Sequence, residues 1–373
     1  MTAKSIEIAR SVAVAVAATI AAMLLPAPAS AQPAGAQGEN FIYLAQPGDT
    51  LGGVAQRFTE TTGNWRTLQT LNNVSEPTQL QIGKAIHIPF SMIPEAPSQA
   101  RVLHVQGTVT LDGRQLSIGD SVDEAGVIVS GDDSYATLQL EDGSTMSIPA
   151  GSSMNFERLR VFQGTRLTDS IIHINDGGLE SQVAPEKTGV GRFEVRTPVT
   201  ITGVRGTELR VRAGSQGSQT EVLEGRAELT TSGQQHQRKA ALHAGQGAVT
   251  DASGTLKGVR ALLPAPELPA PERGASGWGL QFAAVPGAAS YLVRVAGDEN
   301  GSILYSSHIF PQPDVTFRAP GAGNFYVLVR AIDADGLQGA DAAQPFPGQP
   351  VLNWGDGQPV MSGFGMSIML TDY

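Results

Sequence analysis

The stretch at residues 193–212, FEVRTPVTITGVRGTELRVR, constrains the fold of this chain more than any other. Apolar residues alternate there with polar ones, and alternation with a period of two is typical of a strand with one buried face. Gly203 and Gly206 interrupt the pattern and predict a bulge or bend, with Val204 on the opposite face. Pro198 cannot donate to a ladder, so we expect it at an edge or a strand start. The alternating residues are Phe193, Val195, Val199, Ile201, Leu209 and Val211.

This stretch resembles the signature of FecR-like domains, a family of periplasmic regulators, through Thr197-Pro198 and Val204-Arg205-Gly206-Thr207. Further matching segments are Val105-Gln106-Gly107-Thr108-Val109, Asp142-Gly143-Ser144, Glu224-Gly225-Arg226-Ala227 and Ala244-Gly245-Gln246. The resemblance covers residues 100–260. It implies a module class and a compartment, and it names no ligand. Structural roles are expected for Asp142, Gly143, Arg205, Gly206 and Thr207.

The rest of residues 100–260, the central domain, reads as many short strands and no helix, which predicts an all-β sandwich or roll. Asp176-Gly177-Gly178 is interpreted as one of its turns. A three-residue loop at Glu141-Asp142-Gly143 would pair Leu138 with Met146 and give Gly143 a left-handed conformation. Arg205 falls on an odd-numbered position, as the alternating apolar residues do, and so is expected on the same face of the strand. Its guanidinium is therefore expected to pair with Asp142 or Glu224 or to brace backbone carbonyls, with a ligand contact as the alternative.

Composition excludes several classes of function. The net charge of −10 argues against nucleic acid as the main partner. The absence of cysteine excludes disulfides, thiolate nucleophiles, cysteine-ligated zinc and lipoprotein acylation. A local cationic cluster is interpreted as an ordinary polar strand face; its members are Arg192, Arg196, Arg205, Arg210 and Arg212.

The first 31 residues predict export. Lys4 and Arg10 precede an apolar run at 11–25, which ends before Ala29-Ser30-Ala31. A charged start, an apolar centre and an A-x-A site are typical of a signal peptide, here 1–31, with Gln32 as the first mature residue. The alternative is an uncleaved membrane anchor, although the run is short against the ~20 apolar residues that a spanning helix needs. We therefore expect a periplasmic protein without a transmembrane helix after cleavage.

Residues 40–90 form the N-terminal module. The composition of residues 32–39, which precede it, predicts a flexible leader. A strand is expected at 41–44, then a helix capped by Asp49 or Thr50 whose buried face recurs at intervals of three and four residues. Asn64 is expected to cap a second helix that carries Trp65, Leu68 and Leu71 and ends at Asn73, before a closing strand at 84–89. The residues of the first buried face are Leu51, Val54, Ala55 and Phe58.

Strand, helix, helix and strand in this order resemble the LysM module, through Gly48-Asp49-Thr50-Leu51, Leu71-Asn72, Leu80-Gln81-Ile82-Gly83 and Ile86-His87-Ile88-Pro89. The resemblance implies binding of N-acetylglucosamine-containing glycan, hence peptidoglycan. The implied contact residues lie in two loops: Gly48, Asp49, Thr50, Leu80, Gln81, Ile82 and Gly83. The alternative is that the first loop is only a turn and cap in a module that has lost binding.

The second half of the chain is predicted to continue in β structure. Pro-rich linkers are expected at 91–99 and 261–274. Residues 275–348, the C-terminal domain, resemble a fibronectin type III domain through Leu280-Gln281-Phe282, Tyr291-Leu292-Val293-Arg294-Val295 and the strand at 325–333. Residues 349–373 have no assignment beyond a weak strand at 366–370. The expected fold class is mainly β and multidomain: a small βααβ module, an all-β domain and a C-terminal β-sandwich.

No catalytic constellation is found in the sequence. Gly119-Asp120-Ser121 lacks His and Asp partners for an esterase, and Asp333-Ala334-Asp335-Gly336 lacks the glutamate that closes a calcium loop. We therefore expect no enzyme activity, cofactor or metal. The predicted function is a peptidoglycan-binding envelope protein whose β domains act as a scaffold or partner platform. The alternatives are a FecR-like envelope signalling regulator acting through protein contacts and an enzyme with an unrecognised site.

Overall fold

The computed structural model describes residues 33–165, 167–184, 190–204, 206–232, 237–274 and 277–348, with residues 354, 358–364, 366 and 368 of the tail. The chain divides into two units, 1–32 and 33–373, and the fold below is that of the second. The predicted signal peptide, 1–31, and Arg205 lie outside the described residues. Across the described part of the chain, no helix has the length and apolar character needed to cross a membrane.

The N-terminal module is a three-stranded antiparallel sheet, in the order β1-β2-β3, with two helices. Thr50 Oγ1 accepts the Gly53 N–H at 3.0 Å and so caps the first helix. Asn73, in a left-handed conformation, ends the second. Its elements are β1 (Pro33–Gln37), β2 (Asn40–Leu44), α1 (Leu51–Thr59), a 3-10 turn (Thr62–Asn64), α2 (Trp65–Asn72) and β3 (Ala85–Pro89).

Two local expectations for this module are wrong. The residues expected to form a flexible leader instead supply β1, which pairs with β2 and makes the module three-stranded. Asn64 makes no capping hydrogen bond to α2, because its side chain donates to Thr59 Oγ1 at 2.9 Å. Leu68 is the buried residue of α2, whereas Leu71 is 45% exposed.

The central domain is a two-sheet β structure around one hydrophobic core, and a 3-10 turn (Phe90–Met92) leads into it. Its early strands are β4 (Glu95–Pro97), β5 (Ala100–Gln106), β6 (Val109–Leu111), β7 (Arg114–Gln115), β8 (Ser121–Val122), β9 (Val127–Ser130), β10 (Tyr135–Gln139), β11 (Thr145–Ile148) and β12 (Ser153–Phe162). Its later strands are β13 (Thr168–Gln182), β14 (Val190–Arg196), β15 (Thr200–Val204), β16 (Glu208–Gly214), β17 (Gly217–Glu224), β18 (Arg226–Thr231), β19 (Lys239–His243), β20 (Gln246–Asp251) and β21 (Leu256–Ala261).

Strand β13 belongs to both sheets. Its first half pairs with β12 and β14 in one sheet, and its second half pairs with β11 and β16 in the other. The interpretation of Asp176-Gly177-Gly178 as a turn is therefore wrong, because the strand continues through it and changes sheet there. Gly177 has φ +80°, and a Cβ would lie 2.5 Å from the Ser152 Cα. A bend with such close backbone contact requires glycine.

The hairpin prediction is confirmed. Leu138 pairs with Met146, and the Leu140 N–H donates to the Ser144 carbonyl at 2.9 Å, which closes a three-residue loop. Gly143 has φ +87°, in the left-handed region that such loops favour. This hairpin, β10 and β11, forms part of the sheet that faces the C-terminal domain.

The stretch at 193–212 is three strands instead of one interrupted strand. The Thr197 N–H donates to the Thr200 carbonyl, so the chain reverses there and β15 returns along β14 with Phe193 opposite Val204. The turn shifts the alternation of buried and exposed residues by one position. Val204 is therefore buried, while Ile201 is only half-buried. The expected orientation of these two residues was wrong. After Val204 the chain crosses to β16 in the other sheet.

Both Pro-rich segments are packed against neighbouring structure. Within 91–99, β4 pairs with β12, with Pro97 opposite Arg160. Within 261–274, the Leu263 carbonyl accepts the Ala340 N–H at 3.0 Å and the Leu268 carbonyl accepts Gln344 Nε2 at 3.0 Å. These segments therefore connect domains through specific contacts.

The C-terminal domain is a seven-stranded sandwich with its own apolar core. One sheet has the order β22-β23-β26 and the other β25-β24-β27-β28. Its strands are β22 (Glu272–Gly274), β23 (Gly277–Gln281), β24 (Ala288–Ala296), β25 (Leu304–Phe310), β26 (Asp314–Phe317), β27 (Gly323–Asp333) and β28 (Ala342–Gly348). Most of the weak strand predicted at 366–370 lies outside the described residues.

Candidate functional site

The first loop of the N-terminal module is organised by Asp49. Its Oδ2 accepts the Tyr43 hydroxyl at 2.5 Å and the Gln46 N–H at 2.7 Å, and its Oδ1 lies 3.3 Å from Arg57 Nη2. Tyr43 is fully buried, and its burial raises the pKa of the hydroxyl, with a further rise from the hydrogen bond to Asp49. The Asp49 carboxylate is therefore occupied inside the module, where it fixes the loop between β2 and α1.

The second loop is held against the first by backbone hydrogen bonds. The Leu80 N–H donates to the Asp49 carbonyl at 3.1 Å, and the Gly83 N–H donates to the Ala45 carbonyl at 2.8 Å. Gly48 and Gly83 have φ +84° and +78°, which glycine adopts without steric cost. Two loops that are 30 residues apart in sequence therefore form one surface.

The predicted contact residues divide into exposed and internal groups on this surface. Gly48, Gln81, Ile82 and Gly83 are exposed, and Ile82 is 67% exposed. Leu80 is 5% exposed and belongs to the core of the module. Thr50 and Asp49 are half-buried and serve as the helix cap and the loop organiser. The structure thus brings all seven together, with an apolar side chain beside exposed glycine backbone.

The FecR-type residues of the central domain have structural contacts. The Asp142 carboxylate accepts the Ser144 N–H at 2.8 Å and the hydroxyl of buried Thr168. Ser144 Oγ in turn accepts the Ala184 N–H at 3.0 Å, so this turn contacts the start of β13 and the segment that follows its end. The expectation that Asp142 pairs with Arg205 is not tested, since Arg205 lies outside the described residues.

Gly206 and Thr207 lie where the chain leaves β15 for β16. Thr207 is buried, its Oγ1 donates to the Arg226 carbonyl at 2.9 Å, and its carbonyl accepts the Val183 N–H at 3.0 Å. Gly206 has φ +57°, and its carbonyl would lie 2.6 Å from a Cβ placed on Gly225. The positive φ favours glycine at 206, and close backbone approach requires glycine at 225.

A second polar centre, which the sequence analysis missed, lies between the central and C-terminal domains. We call it the arginine cluster; its members are Glu180, Arg210, Arg212, Glu221, Arg294, Arg330 and Asp341. Arg210 Nη2 lies 2.8 Å from Asp341 Oδ2, although the two residues are 131 positions apart. The interpretation of Arg210 and Arg212 as part of an ordinary polar strand face is wrong, because Arg210 is 2% exposed and both contact the C-terminal domain.

The charges of the arginine cluster control its pKa values. Burial acts to raise the pKa of Glu180 and Asp341, but Arg294, Arg330 and Arg210 outweigh it. The pKa of Glu180 is held well below its usual value, and that of Asp341 falls to about 2. Burial, assisted by the charge of Arg330, lowers the pKa of Arg210 to about 10. Glu180, Asp341 and Arg210 are therefore charged near neutral pH.

Family comparisons match two parts of the chain. Residues 43–89 match the model of the LysM domain, and residues 126–228 match the model of the FecR protein family. No curated protein matches the chain. Two solved structures resemble it, both described as crystal structures of "a putative anti-sigma factor from Parabacteroides distasonis ATCC 8503", at 16% sequence identity and TM-scores of 0.30 and 0.29. Each alignment covers 36% of this chain and 59% of the other, so less than two thirds of either protein is aligned.

Proposed function

We propose that this chain is an exported, non-enzymatic envelope protein that binds the N-acetylglucosamine-containing glycan of peptidoglycan through its N-terminal module. The LysM match at 43–89 suggests glycan binding. The observation that carries the proposal is the surface formed by the two hydrogen-bonded loops, in which exposed Ile82 precedes exposed Gly83 in one loop and Gly48 is exposed in the other. An N-acetyl sugar needs such a combination, with backbone groups for the amide and an apolar side chain for the methyl group and ring.

The rest of the chain supports a platform role in this proposal. The seven strands of the C-terminal domain, in sheets of three and four, are consistent with a fibronectin type III-like sandwich. Its contacts with the central domain support a rigid two-domain body that presents surface to an envelope protein. The proposed location is the periplasm, after removal of residues 1–31; a mature N-terminus at Gln32 in protein recovered from the periplasm is the result expected.

A second candidate function is envelope signalling through protein contacts. The FecR match at 126–228 is the observation that favours it. In that case the central domain, rather than the N-terminal module, would carry the activity. The two candidates differ in which surface matters, so a test at Ile82 separates them.

Co-sedimentation with insoluble peptidoglycan is the deciding experiment. The mature protein should pellet, and Ile82→Asp should stay largely in the supernatant, since a charge replaces the apolar contact. Ile118→Asp is the matched control, because Ile118 is 68% exposed but belongs to the central domain. If neither the wild type nor the control pellets, the glycan proposal fails and the signalling candidate moves ahead. Release of soluble wall fragments by the pure protein would overturn the non-enzymatic proposal.

A further inference from the structure

A pocket of about 330 Å³ lies between the central and C-terminal domains. Glu180, Glu208 and Arg210 line it from the central domain, and Glu299 and Asp341 line it from the C-terminal domain. Its lining thus brings four carboxylates together with one guanidinium. No lining residue belongs to the N-terminal module, so the pocket is separate from the proposed glycan surface.

Two of these carboxylates are paired with arginines. Glu180 Oε1 lies 2.8 Å from Arg330 Nη1, and Asp341 Oδ2 lies 2.8 Å from Arg210 Nη2. The carboxylate of Glu208, in contrast, has no hydrogen bond or ion pair with any residue that the structure describes. Glu208 is also half-buried, so water solvates its charge incompletely.

The position of Glu208 follows from the register of β16. Leu209 and Val211 are buried in the core of the central domain, so Glu208 and Arg210 lie on the opposite face of the strand, towards the C-terminal domain. Glu208 is directly opposite Glu224 of β17. Like charges at directly opposed positions of two strands are destabilising, so the register also disfavours an ionised Glu208.

Arg210, the cation next to Glu208 on this face, is engaged with other partners. Its Nη1 donates to the Gly339 carbonyl at 2.8 Å, and its Nη2 donates to Asp341 Oδ2 at 2.8 Å. Its Nε lies 3.9 Å from Glu180 Oε2. The guanidinium therefore attracts Glu208 from nearby without forming a direct ion pair with it.

The surroundings of Glu208 favour its neutral form. Burial raises the pKa of Glu208, Arg210 lowers it, and the charges of Asp341, Glu180 and Glu224 raise it further, so that the pKa lies above its ordinary value of 4.5. Asp341 belongs to the C-terminal domain. Part of the repulsion therefore exists only while the two domains are docked.

We propose that Glu208 makes the contact between the central and C-terminal domains sensitive to pH, with a tighter contact when its carboxyl is neutral and a weaker one when it is ionised. This inference does not depend on glycan binding by the N-terminal module. Because the pKa is raised in the folded state, the contribution of Glu208 to stability is complete below pH 4.5 and is lost as the pH rises through the folded pKa. Glu180 and Asp341 act in the opposite direction, since their pKa values are lowered.

The experiment measures hydrogen exchange of the full mature protein by mass spectrometry between pH 7 and pH 4.5, corrected for the intrinsic effect of pH on exchange. Residues 338–343 report the contact, because the Gly339 carbonyl accepts from Arg210 and the Ala340 N–H donates to the Leu263 carbonyl. Their protection should rise by about threefold in the wild type as the pH falls. Glu208→Gln imitates the neutral carboxyl, so its protection should already be high at pH 7 and should change little.

Two control variants separate Glu208 from its neighbours. Glu299→Gln removes an exposed carboxylate of the same pocket and should keep the pH dependence of the wild type. Glu224→Gln removes the charge opposite Glu208 and should move the midpoint of the change to lower pH. The pH dependence of the wild type in Glu208→Gln, or its loss in Glu299→Gln, overturns the proposal. A difference between Glu208→Gln and wild type that is equal at every pH also overturns it, since Glu208 would then act only through packing.

Discussion

Arg330 and Glu180 form a two-point ion pair across the boundary between the C-terminal and central domains. Nη1 of the arginine lies 2.8 Å from Oε1 of the glutamate, and Nη2 lies 3.1 Å from Oε2. Glu180 also accepts from Arg294 Nη1 at 3.1 Å, so one carboxylate pairs with two arginines of the C-terminal domain. Glu180 is therefore one of the main contacts between the two domains, together with the pair of Arg210 and Asp341.

Replacement of Glu180 by alanine should weaken that docking strongly. The substitution removes one of the two carboxylates that pair with buried Arg294 and Arg330, and removal of one member of a buried pair costs about 3–5 kcal/mol. Chemical denaturation should show the loss, and limited proteolysis should cut 261–274 faster. Glu228→Ala is the control, because its pair with Lys239 is largely exposed and should contribute less than about 1 kcal/mol. Equal effects of the two substitutions would contradict the role of Glu180.

Low pH should weaken the docking of the two domains over a defined pH range. The pKa of Asp341 is depressed from 3.8 to about 2, so its contribution to stability is complete above 3.8 and disappears as the pH falls through about 2. Glu180 has a depressed pKa and acts in the same direction. Asp341→Asn should be less stable than wild type at pH 5, and the difference should shrink towards pH 2. A difference that is independent of pH would contradict this assignment.

Local signals explain the parts of the fold that the sequence predicted. The cap at Thr50, the left-handed Asn73 and the loop ending at Gly143 each depend on a few neighbouring residues, and all three form as expected. Local sequence gave a wrong prediction at Asp176-Gly177-Gly178, which was expected to be a turn and lies within β13. A glycine pair permits a turn and also a bend within a strand, and only pairing with β16 selects the bend.

Of the two candidate sites, one was predicted from the sequence and the other was not. Both loops of the proposed glycan surface were implied by the resemblance to the LysM module, whose motifs lie within short continuous segments. The arginine cluster was not, because Arg210 finds its partners 128–131 residues later in the chain. Alternation placed the arginines on strands but gave no information about the domain that would cover them. Their unusual number on neighbouring positions was the one available signal.

Two glycines in the central domain should differ in their tolerance of alanine. Gly143→Ala should destabilise by about 1 kcal/mol, because φ is +87° but a Cβ would meet nothing within 4 Å. Gly177→Ala should cost more than about 2 kcal/mol, because a Cβ would also lie 2.5 Å from Ser152 atoms. Denaturant titration of both variants checks the order, and a larger loss at Gly143 would contradict the described bend.

Asp49 should act on glycan binding through the shape of its loop. Asp49→Ala leaves the buried Tyr43 hydroxyl and the Gln46 N–H without their acceptor, so we expect a loss of about 1–3 kcal/mol in the stability of the module. Glycan affinity should fall together with stability. Ile82→Asp should instead reduce affinity with an unchanged melting temperature, because the side chain is exposed. Loss of binding in Asp49→Ala at full stability would make Asp49 a direct contact.

Phe90 and Phe162 should join the N-terminal module to the central domain. Their rings stack with centroids 4.5 Å apart, and both side chains are at least nine-tenths buried. Phe162→Ala should cost about 3 kcal/mol and expose 91–99 to protease, since the substitution opens a cavity where β4 meets β12. Phe364→Ala, at a residue 92% exposed, should change neither property. Because neither phenylalanine belongs to the two loops of the proposed glycan surface, Phe162→Ala should still pellet with peptidoglycan. Loss of pelleting would mean that binding requires the docked module.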